Sequence, residues 1–583
     1  MTLSVSRDSS PNQPAGATSV PLSGPASSVR IDPVTLEILG SNLQSAAEEM
    51  SVSLRRTAYS TIVREAMDFS CCIFDGRARL ITQAANIPMH LNSMPLALVD
   101  WLEEYPVSEL EPGDLLASND PYRGGNHLQD VITFLPVFHG DTLVAFAASL
   151  AHWVDVGGRS PGSIGNDVTD NYQEGVCIPP LKLMRRGEMN QDVLKMILRN
   201  VREPEKCHGD LRGQIAANRT AERRIHELIE RYGLDLVLAG MEGLIDYSEA
   251  RMRRGIRERI PDGVATFEDV VEDTGIIMHE CRICVTVTKQ DDTITVDFTG
   301  TDPQQLGASN SPIGPTTSAV YYAMKAVAGP DIPINDGCYR PIKIIAPEGT
   351  LVNAMLPAAC QARNVVCHRI TDVLFGALSQ LCPERVMAAC YGCTPSYTMG
   401  GYSERHRRHF AFYDVLGGGM GGRLGVDGND CCAANTSNFL NIPVEMTELE
   451  LPVVVNRYEL VPDSGGAGEY RGGLSGRRDL TVQTDVVMSF LDERHKRSPW
   501  GLFGGKHGGR GLYRIFSPSG EEREVYSKAT NVLVNKGETV SFITPGGGGY
   551  GDPARRDPAK VDWDVKNGYL SPDAARRDYG FEG

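Results

Sequence analysis

The sequence has no apolar segment that resembles a membrane span. None of its apolar runs approaches the ~20 residues that a transmembrane helix needs. Residues 1–30 are rich in Ser, Pro and Ala and lack the apolar centre of a secretory signal peptide. A segment of that composition cannot bury enough apolar surface to order itself, so we expect a disordered tail. These absences predict a cytoplasmic protein that does not associate with membranes.

Positive charge is scarce relative to negative charge. The chain carries 57 Lys and Arg against 74 Asp and Glu, which gives a formal net charge of −17 at pH 7. Proteins that bind nucleic acids need a basic surface to neutralise phosphates. The acidic balance therefore argues against a nucleic-acid partner, and it equally disfavours adsorption to anionic lipid.

Two common catalytic motifs are missing. A P-loop requires Gly-x-x-x-x-Gly-Lys-Ser/Thr, but Gly504-Gly-Lys-His has His at the last position and no Gly at the required offset. The nucleophile elbow Gly-x-Ser-x-Gly is only half matched, at 472–477. We therefore expect the chain to hold no ATP site of its own. Four glycine clusters favour tight turns, bulges or close backbone approaches over nucleotide cradles; they lie at 417–425, 464–473, 501–511 and 546–551.

The 14 cysteines occur without a secretion signal, which favours reduced thiols over a disulfide framework. Two pairs have Cys-x-x-Cys spacing, Cys281/Cys284 and Cys390/Cys393, and they lie far apart in the sequence. Free cysteine is mostly a core residue. We therefore favour buried thiols and keep a zinc or redox site as the alternative.

The order of predicted elements indicates a multidomain α+β protein. Asp32-Pro33 is a typical helix start, and apolar residues recur with helical spacing towards Arg56. After the disordered tail at 1–30 we expect four regions, distinguished by their composition and periodicity. They are a mixed helical and β-hairpin region with a candidate metal site at 31–260, a central α/β region at 261–405, a glycine-rich, mainly β region at 406–555 and a helical tail at 556–583.

A hairpin in the first region places two histidines together. Two β-like runs, 131–138 and 142–151, are separated by His139-Gly140, which suits a two-residue turn. With that turn as the loop, the register pairs His127 with His152. Directly opposed residues share a face of the sheet, with Cβ atoms about 5 Å apart. That separation suits two ligands of one metal ion.

Asp130 is the third candidate ligand. In a regular strand it would point away from the imidazoles, so it joins them only if 127–130 is a turn, which Gly124-Gly125 favours. Pro136 weakens the register argument, because proline is tolerated in strands only at edges or bulges. Two His and one Asp suit Mn²⁺, Zn²⁺ or Fe²⁺. The alternative is a set of polar residues at a solvated hairpin end.

An acidic set lies upstream of the hairpin and comprises Glu65, Asp68 and Asp75. A carboxylate from this set is a candidate to complete the metal shell or to act as a general base. Capping and turn formation are the alternative role for all three. Without a nucleophile motif, water activated by a metal is the favoured attacking group.

Ordered motifs along most of the chain resemble the hydantoinase B/oxoprolinase family, in particular the B subunit of N-methylhydantoinase. Residues 119–131 match the family pattern Asn-Asp-Pro-Tyr-x-Gly-Gly-x-His-x-x-Asp-Val. The likeness spans roughly 31–580. Further matching motifs begin at Asp68-Phe-Ser-Cys, Ile87-Pro-Met-His-Leu-Asn-Ser-Met, Glu174-Gly-Val, Asn335-Asp-Gly-Cys-Tyr-Arg-Pro-Ile, Pro462-Asp-Ser-Gly-Gly-Ala-Gly, Thr544-Pro-Gly-Gly-Gly-Gly-Tyr-Gly-Asp-Pro and Leu570-Ser-Pro.

The resemblance implies an enzyme of two kinds of chain. An ATP-binding, hydantoinase A-type partner phosphorylates the carbonyl oxygen of a lactam or hydantoin, and a B chain such as this one completes the hydrolysis. The expected assembly is therefore a hetero-oligomer whose substrate is a small cyclic amide. Related acetone and acetophenone carboxylases imply an alternative, a subunit that carboxylates a ketone. A binding or structural subunit without metal is a third possibility.

The resemblance also assigns candidate roles to residues. The metal pattern of the acetone carboxylase subunit falls on His127, Asp130 and His152. We expect Asp68 or Glu65 to orient or deprotonate the attacking water. Asp155 is a candidate to fix one imidazole from behind.

Overall fold

The computed structural model of the chain describes residues 31–582, so the tail predicted at 1–30 lies outside the described residues. The predicted helix start is confirmed: the Asp32 carboxylate accepts hydrogen bonds from the amides of Val34 and Thr35, and Pro33 is the first helical residue. The described part of the chain contains twelve α-helices. They are α1 (Pro33–Thr57), α2 (Thr61–Arg64), α3 (Ser93–Glu104), α4 (Gln191–Arg199), α5 (Pro204–Tyr232), α6 (Leu234–Arg259), α7 (Ile313–Ala328), α8 (Asp336–Tyr339), α9 (Arg363–Leu378), α10 (Val444–Glu450), α11 (Pro558–Lys566) and α12 (Pro572–Tyr579).

Strands in the same residues form four sheets. The first has the order β2-β1-β5-β4-β3-β6-β7, from β1 (Phe69–Asp75), β2 (Leu80–Gln83), β3 (Leu115–Ser118), β4 (Asp130–His139), β5 (Thr142–His152), β6 (Leu181–Arg185) and β7 (Glu188–Met189). The second has the order β11-β10-β9-β8, from β8 (Gly263–Val271), β9 (Cys281–Gln290), β10 (Thr293–Asp297) and β11 (Ile342–Ile345).

The remaining two sheets belong to the C-terminal half. The third has the order β13-β12-β16-β19 and the fourth β14-β15-β20-β17-β18. Their strands are β12 (Ser396–Ser403), β13 (Arg408–Val415), β14 (Val453–Leu460), β15 (Gly476–Val482), β16 (Val486–Leu491), β17 (Leu512–Phe516), β18 (Glu522–Val525), β19 (Val532–Val534) and β20 (Thr539–Ile543). The α+β fold class with a mainly β, glycine-rich C-terminal part is thereby confirmed.

The first sheet forms the frame of the candidate site. Its central strands β1, β5 and β4 are buried along most of their length, and α5 covers one face. Gln214 of α5 donates its side-chain amide to the carbonyl of Val131 in β4, at 2.8 Å. Buried strands with a helix packed on them resist bending, so side chains at their ends hold fixed positions.

The glycine clusters pack against one another through their backbones. A Cβ on Gly419 would lie 2.1 Å from the carbonyl oxygen of Gly473, and one on Gly547 would lie 1.9 Å from that of Met420. Their amides are used in the same contacts, since Gly473 donates to Met420 at 2.7 Å and Gly547 donates to Gly473 at 2.9 Å. Amides already bonded in this way are not free to cradle a phosphate, in agreement with the expected close backbone approach.

The predicted region boundaries stay predictions, and the position of one of them can be compared with the strand pairing. The boundary expected at residue 405 falls within the β12–β13 hairpin, between two paired strands. The C-terminal tail contains two helices, whose first turns are capped by the side chains of Asp557 and Ser571. Within residues 31–582, no helix has the length and apolar character needed to cross a bilayer.

Candidate metal centre

A tight turn brings His127 next to Asp130. The amide of Asp130 donates to the carbonyl of His127 at 2.9 Å, so the turn expected to precede the strand is present. The chain enters it through Gly124, whose φ of 93° lies in the left-handed region. A Cβ at Gly124 would meet the amide nitrogen of Ala97 at 2.3 Å, so the chain can pass α3 there only as glycine.

The β4–β5 hairpin pairs His152 with Asp130, and the predicted pairing with His127 is wrong. The turn lies one residue further along the chain than expected, at Gly140-Asp141, and a bulge after Val137 shifts the register once more. Together these two changes move the partner of His152 by three residues. The predicted cluster nevertheless forms, because the preceding turn brings His127 back over Asp130.

The three candidate ligands converge on one buried point. Nε2 of His127 lies 3.1 Å from Oδ1 of Asp130, and Nδ1 of His152 lies 3.4 Å from the same oxygen. The two imidazole rings are 5.0 Å apart between centroids. One ligand atom from each residue lies within 4.8 Å of the others, and all three side chains are at most 3% exposed.

The donor set fits a divalent cation. Nδ1 of His127 donates to the carbonyl of Gln361 at 3.2 Å, which leaves the lone pair of Nε2 directed at Asp130. Burial, with the nearby Arg363 charge, lowers the pKa of His127 to about 3, so a proton does not bridge the pair. Two acceptor atoms facing each other at 3.1 Å repel unless a cation lies between them. Nε2 of His127, Oδ1 of Asp130 and Nε2 of His152 are buried without a hydrogen-bond partner among the described residues.

Asp130 remains ionised despite its burial. Burial alone would raise its pKa, but the positively charged Arg363 guanidinium beside it holds the pKa well below its usual range. Arg363, at the start of α9, donates from Nη2 to Oδ2 of Asp130 at 3.0 Å. That contact leaves Oδ1 directed towards the two imidazoles.

Two aromatic side chains complete the surroundings of the cluster. Tyr413 of β13 stacks on His152, with ring centroids 4.6 Å apart and an interplanar angle of 24°. His90 is buried, shares a hydrogen bond of 3.0 Å with the hydroxyl of Ser70 through Nδ1, and directs Nε2 towards Asp130 at 3.7 Å. These contacts restrict the orientation of each ligand side chain.

A small cavity of about 30 Å³ opens beside the cluster. It has room for a water molecule, which needs about 10–15 Å³ by this measure. The side chains that line it come from both halves of the chain and include Asp68, His90, His127, His152, Arg363 and Tyr413. The site therefore depends on contact between regions that are far apart in the sequence.

Asp68 is the acidic residue that the fold brings to the cavity. Because Phe69 of β1 pairs with Ala151 of β5, the residue before β1 lies beside the end of β5. The carbonyl of Asp68 accepts the amide of His152 at 3.0 Å, and its Oδ2 lies 3.8 Å from Nδ1 of that ring. Burial raises the pKa of Asp68 to about 6, although the His152 charge opposes the shift.

The other predicted acidic residues bond elsewhere. Glu65 pairs with Arg64 at 2.9 Å and does not line the cavity. Asp75 forms a buried pair with Arg79. Both oxygens of Asp155 are used by the amides of Gly157, Gly162 and Arg202 and by the Arg202 guanidinium, so its carboxylate organises a loop and does not contact an imidazole.

The two Cys-x-x-Cys pairs form no metal cluster in the described residues. The group of clustered His, Cys, Asp and Glu side chains found in 31–582 is His127, Asp130 and His152 alone. Cys390 and Cys393 are fully buried, and burial raises the pKa of both thiols. Disulfide bonds are absent from the same part of the chain, in agreement with the expected free thiols.

Three residues of the site carry no sequence signal as strong as that of the hairpin. His90 lies within the motif that begins at Ile87, but a single histidine there does not by itself indicate a site. Arg363 and Tyr413 lie more than two hundred residues beyond the hairpin, and only the tertiary fold brings the start of α9 to Asp130 and β13 to His152.

The chain is similar to known proteins along most of its length. The family model described as hydantoinase B/oxoprolinase matches residues 32–553. A Pseudomonas protein designated the B component of a candidate D-/L-hydantoinase is 34% identical over 94% of this chain and 95% of its own. The β subunit of a caprolactamase from Pseudomonas jessenii is 33% identical over 94% of this chain and 96% of its own.

Two solved structures share the fold. An ATP-dependent caprolactamase from Pseudomonas jessenii superimposes with a TM-score of 0.89 at 31% identity, over 95% of this chain and 96% of the other. A nucleotide-free acetone carboxylase superimposes with a TM-score of 0.86 at 20% identity, over 94% and 79% of the two chains, a likeness that concerns the fold alone. A helix-rich α+β chain with a buried His-His-Asp cluster thus has relatives among enzymes that act on cyclic amides. The chain belongs to the hydantoinase B/oxoprolinase family.

Proposed function

We propose that this chain is the B-type subunit of an ATP-dependent enzyme that hydrolyses a cyclic amide. An ATP-binding partner of the hydantoinase A type would phosphorylate the carbonyl oxygen of a lactam or hydantoin, and this chain would complete the ring opening. Family membership and the names of the hydantoinase and caprolactamase relatives support this proposal. The backbone pairing among the glycine clusters supports placing ATP on the partner.

The observation that carries the proposal is the convergence of possible ligand atoms from His127, Asp130 and His152 within 4.8 Å of one another, beside a cavity large enough for a water molecule. Nε2 of His127 and Oδ1 of Asp130 are buried there without a hydrogen-bond partner among the described residues. Mn²⁺, Zn²⁺ or Fe²⁺ suits this donor set. Such an ion, when bound, lowers the pKa of a coordinated water from 15.7 towards about 7 and makes it a nucleophile at neutral pH.

The residues of the chain would then perform the proton transfers and the positioning. Asp68 would accept a proton from the attacking water, since its carboxylate lines the cavity and its pKa of about 6 leaves it largely ionised at neutral pH. Arg363 would keep Oδ1 of Asp130 directed at the imidazoles. The carbonyl of Gln361 would hold His127 in the tautomer whose Nε2 lone pair faces the cluster.

Phosphorylation explains why the enzyme needs ATP. An amide resists attack because its nitrogen donates electrons into the carbonyl. A phosphoryl group on the carbonyl oxygen would withdraw those electrons, so that water adds to the carbon. The C–N bond of the ring would then break as the nitrogen takes up a proton, and a second water would hydrolyse the resulting acyl phosphate to a carboxylate and inorganic phosphate. ATP hydrolysis thereby drives the opening of a stable ring.

The first experiment is elemental analysis of the chain purified with its A-type partner, for wild type, His152→Ala and His139→Ala. His139 is an exposed residue in the same hairpin and is the matched control. We expect about one metal ion per chain in wild type and His139→Ala, none in His152→Ala, and ATP-dependent hydrolysis of hydantoins or lactams only by the metal-containing proteins. A wild-type complex without metal, or an active metal-free His152→Ala, contradicts the proposal.

A ketone carboxylase subunit is the alternative function, and the acetone carboxylase likeness extends to it through the fold alone. Bicarbonate dependence separates the two functions. ATP consumption that requires bicarbonate and a ketone would identify a carboxylase. ATP consumption that requires only a cyclic amide would identify the hydrolase.

A further inference from the structure

The loop at 357–362 leads into Arg363, the first residue of α9, and together they contact two of the three candidate ligands. The carbonyl of Gln361 accepts from Nδ1 of His127 at 3.2 Å. The guanidinium of Arg363 donates to Oδ2 of Asp130 at 3.0 Å. The position of this one loop therefore sets the orientation of both side chains.

One of the groups that hold that loop in place is a buried carboxyl group, alongside Tyr122 and Asn310, which donate to the carbonyls of Ala358 and Ala359. One oxygen of Glu174, Oε1, accepts from the amides of Cys360 and Gln361 at 2.8 and 2.7 Å. The other, Oε2, accepts from the side-chain amide of Asn171 at 2.8 Å. The amide of Asn171 in turn donates to the carbonyl of Pro357 at 2.9 Å, so the segment 171–174 binds the loop at both of its ends.

The chemistry of the contact explains why a carboxylate stands there. Successive amides of an irregular loop have no partners in a helix or sheet, and buried amides must be satisfied. A carboxylate oxygen has two lone pairs and accepts both hydrogen bonds at once. Glu174 is 2% exposed, so water does not replace it. It also begins one of the motifs of the sequence for which the proposed reaction provides no role.

We propose that Glu174 is a positioning residue of the metal centre. By holding the amides of Cys360 and Gln361, it would place the Gln361 carbonyl on His127 and the Arg363 guanidinium on Asp130. It would thus fix the tautomer of one ligand and the carboxylate orientation of another, without itself contacting metal or substrate. This inference rests on the proposed metal site.

The arrangement makes the Gln361 backbone, and not its side chain, the connection to His127. Both polar atoms of the Gln361 side chain are buried without a hydrogen-bond partner among the described residues. Gln361→Ala therefore preserves the carbonyl contact, whereas Glu174→Ala removes the acceptor that holds it. The two variants separate support through the loop from a general loss of packing near the site.

The test measures the zinc dissociation constant of each full-length variant in complex with the partner, by competition with a chelator. We expect Glu174→Ala to weaken zinc binding by about 10- to 100-fold, as the loss of outer supports of metal ligands usually does. Glu174→Gln keeps an acceptor oxygen and should stay near wild type, as should Gln361→Ala. Glu174→Asp, which withdraws the carboxyl group from the amides but keeps that group in the chain, should also weaken binding and serves where the alanine variant does not fold.

Glu203→Ala is the matched control. Glu203 is another buried carboxylate that accepts a backbone amide, that of Ala411 at 2.8 Å, but it bonds outside the loop. We expect it to lose stability without a change in zinc affinity. Hydrogen exchange adds a second measurement, since Glu174→Ala should raise the exchange rates of the amides of Cys360 and Gln361 in the metal-free protein.

The outcomes separate this inference from the proposed function. Zinc binding by Glu174→Ala as tight as in wild type, or an equal loss in Glu203→Ala, overturns the role of Glu174 while the metal site stands. A wild-type protein that binds no zinc, manganese or iron overturns the metal site itself.

Discussion

Asp130→Asn is the most informative single substitution, because it keeps the shape of the side chain and removes its charge. Oδ2 of Asp130 faces Arg363 at 3.0 Å, and the two side chains are 0% and 7% exposed. Removal of one partner of a buried ion pair costs about 3–5 kcal/mol. The new amide can return about 1 kcal/mol by donating to Nε2 of His127, the atom that faces Oδ1 at 3.1 Å. The metal-free variant should therefore be less stable than wild type by about 2–4 kcal/mol.

The same substitution should also weaken metal binding. An amide nitrogen in place of Oδ1 is not a metal ligand, so we expect the dissociation constant to rise by at least about 100-fold. A metal at about 1,000 times the wild-type dissociation constant stabilises the wild-type protein by about 4 kcal/mol, and it would stabilise the variant by about 1.4 kcal/mol or less. Thermal unfolding with and without added metal, read at the transition that includes the first sheet, measures the difference.

Asp75→Asn is the control for that experiment. Asp75 forms a buried pair with Arg79 in the same sheet, at 2.6 Å, but lies away from the cluster. Asp75→Asn should lower the unfolding temperature, but added metal should still raise that temperature as much as in wild type. An Asp130→Asn protein that gains as much stability from metal as wild type does would refute the assignment of Oδ1 as a ligand.

Two further results are expected. Burial raises the pKa of Asp68 to about 6, and the ionised form is the base, so kcat/KM should fall as pH decreases through about 6. Asp68→Asn should abolish this pH dependence and lower the rate by about 10²- to 10⁴-fold. A pH–rate profile unchanged by the substitution would exclude Asp68 as the base. Gly419→Ala should prevent folding, since its Cβ would lie 2.1 Å from the Gly473 carbonyl oxygen. Gly425 has a φ of 83° but open space around it, so Gly425→Ala should lower the free energy of unfolding by only about 1–2 kcal/mol. Soluble yield and unfolding temperature compare the two variants, and equal behaviour would contradict the close backbone packing.

Local features of the fold were predictable where neighbouring residues decide the structure. The start of α1 follows from Asp32 and Pro33, whose carboxylate and fixed φ satisfy the first helical turn within four residues. The capped helices after Asp557 and Ser571 follow for the same reason. In each case the deciding hydrogen bonds join residues only two or three positions apart.

The hairpin register was not predictable in the same way. A count outward from a turn transmits any error in the turn to every pair, and one bulge adds another residue. Here the turn lies at Gly140-Asp141 and a bulge follows Val137, so His152 pairs with Asp130 and not with His127. The cluster survived that error because the short turn from His127 to Asp130 is itself a local structure.

The sequence by itself determined the order of the motifs, the helix caps and the turn that brings His127 to Asp130, since these depend on spacing within a few residues. Only the tertiary structure decided which side chains surround the cluster. Arg363 and Tyr413 reach it through contacts with Asp130 and His152 that span more than two hundred residues of chain. Glu65 and Asp155 do not reach it, because they pair with Arg64 and Arg202. Contacts of that separation depend on the burial of whole elements against each other, a property that no short stretch of sequence contains.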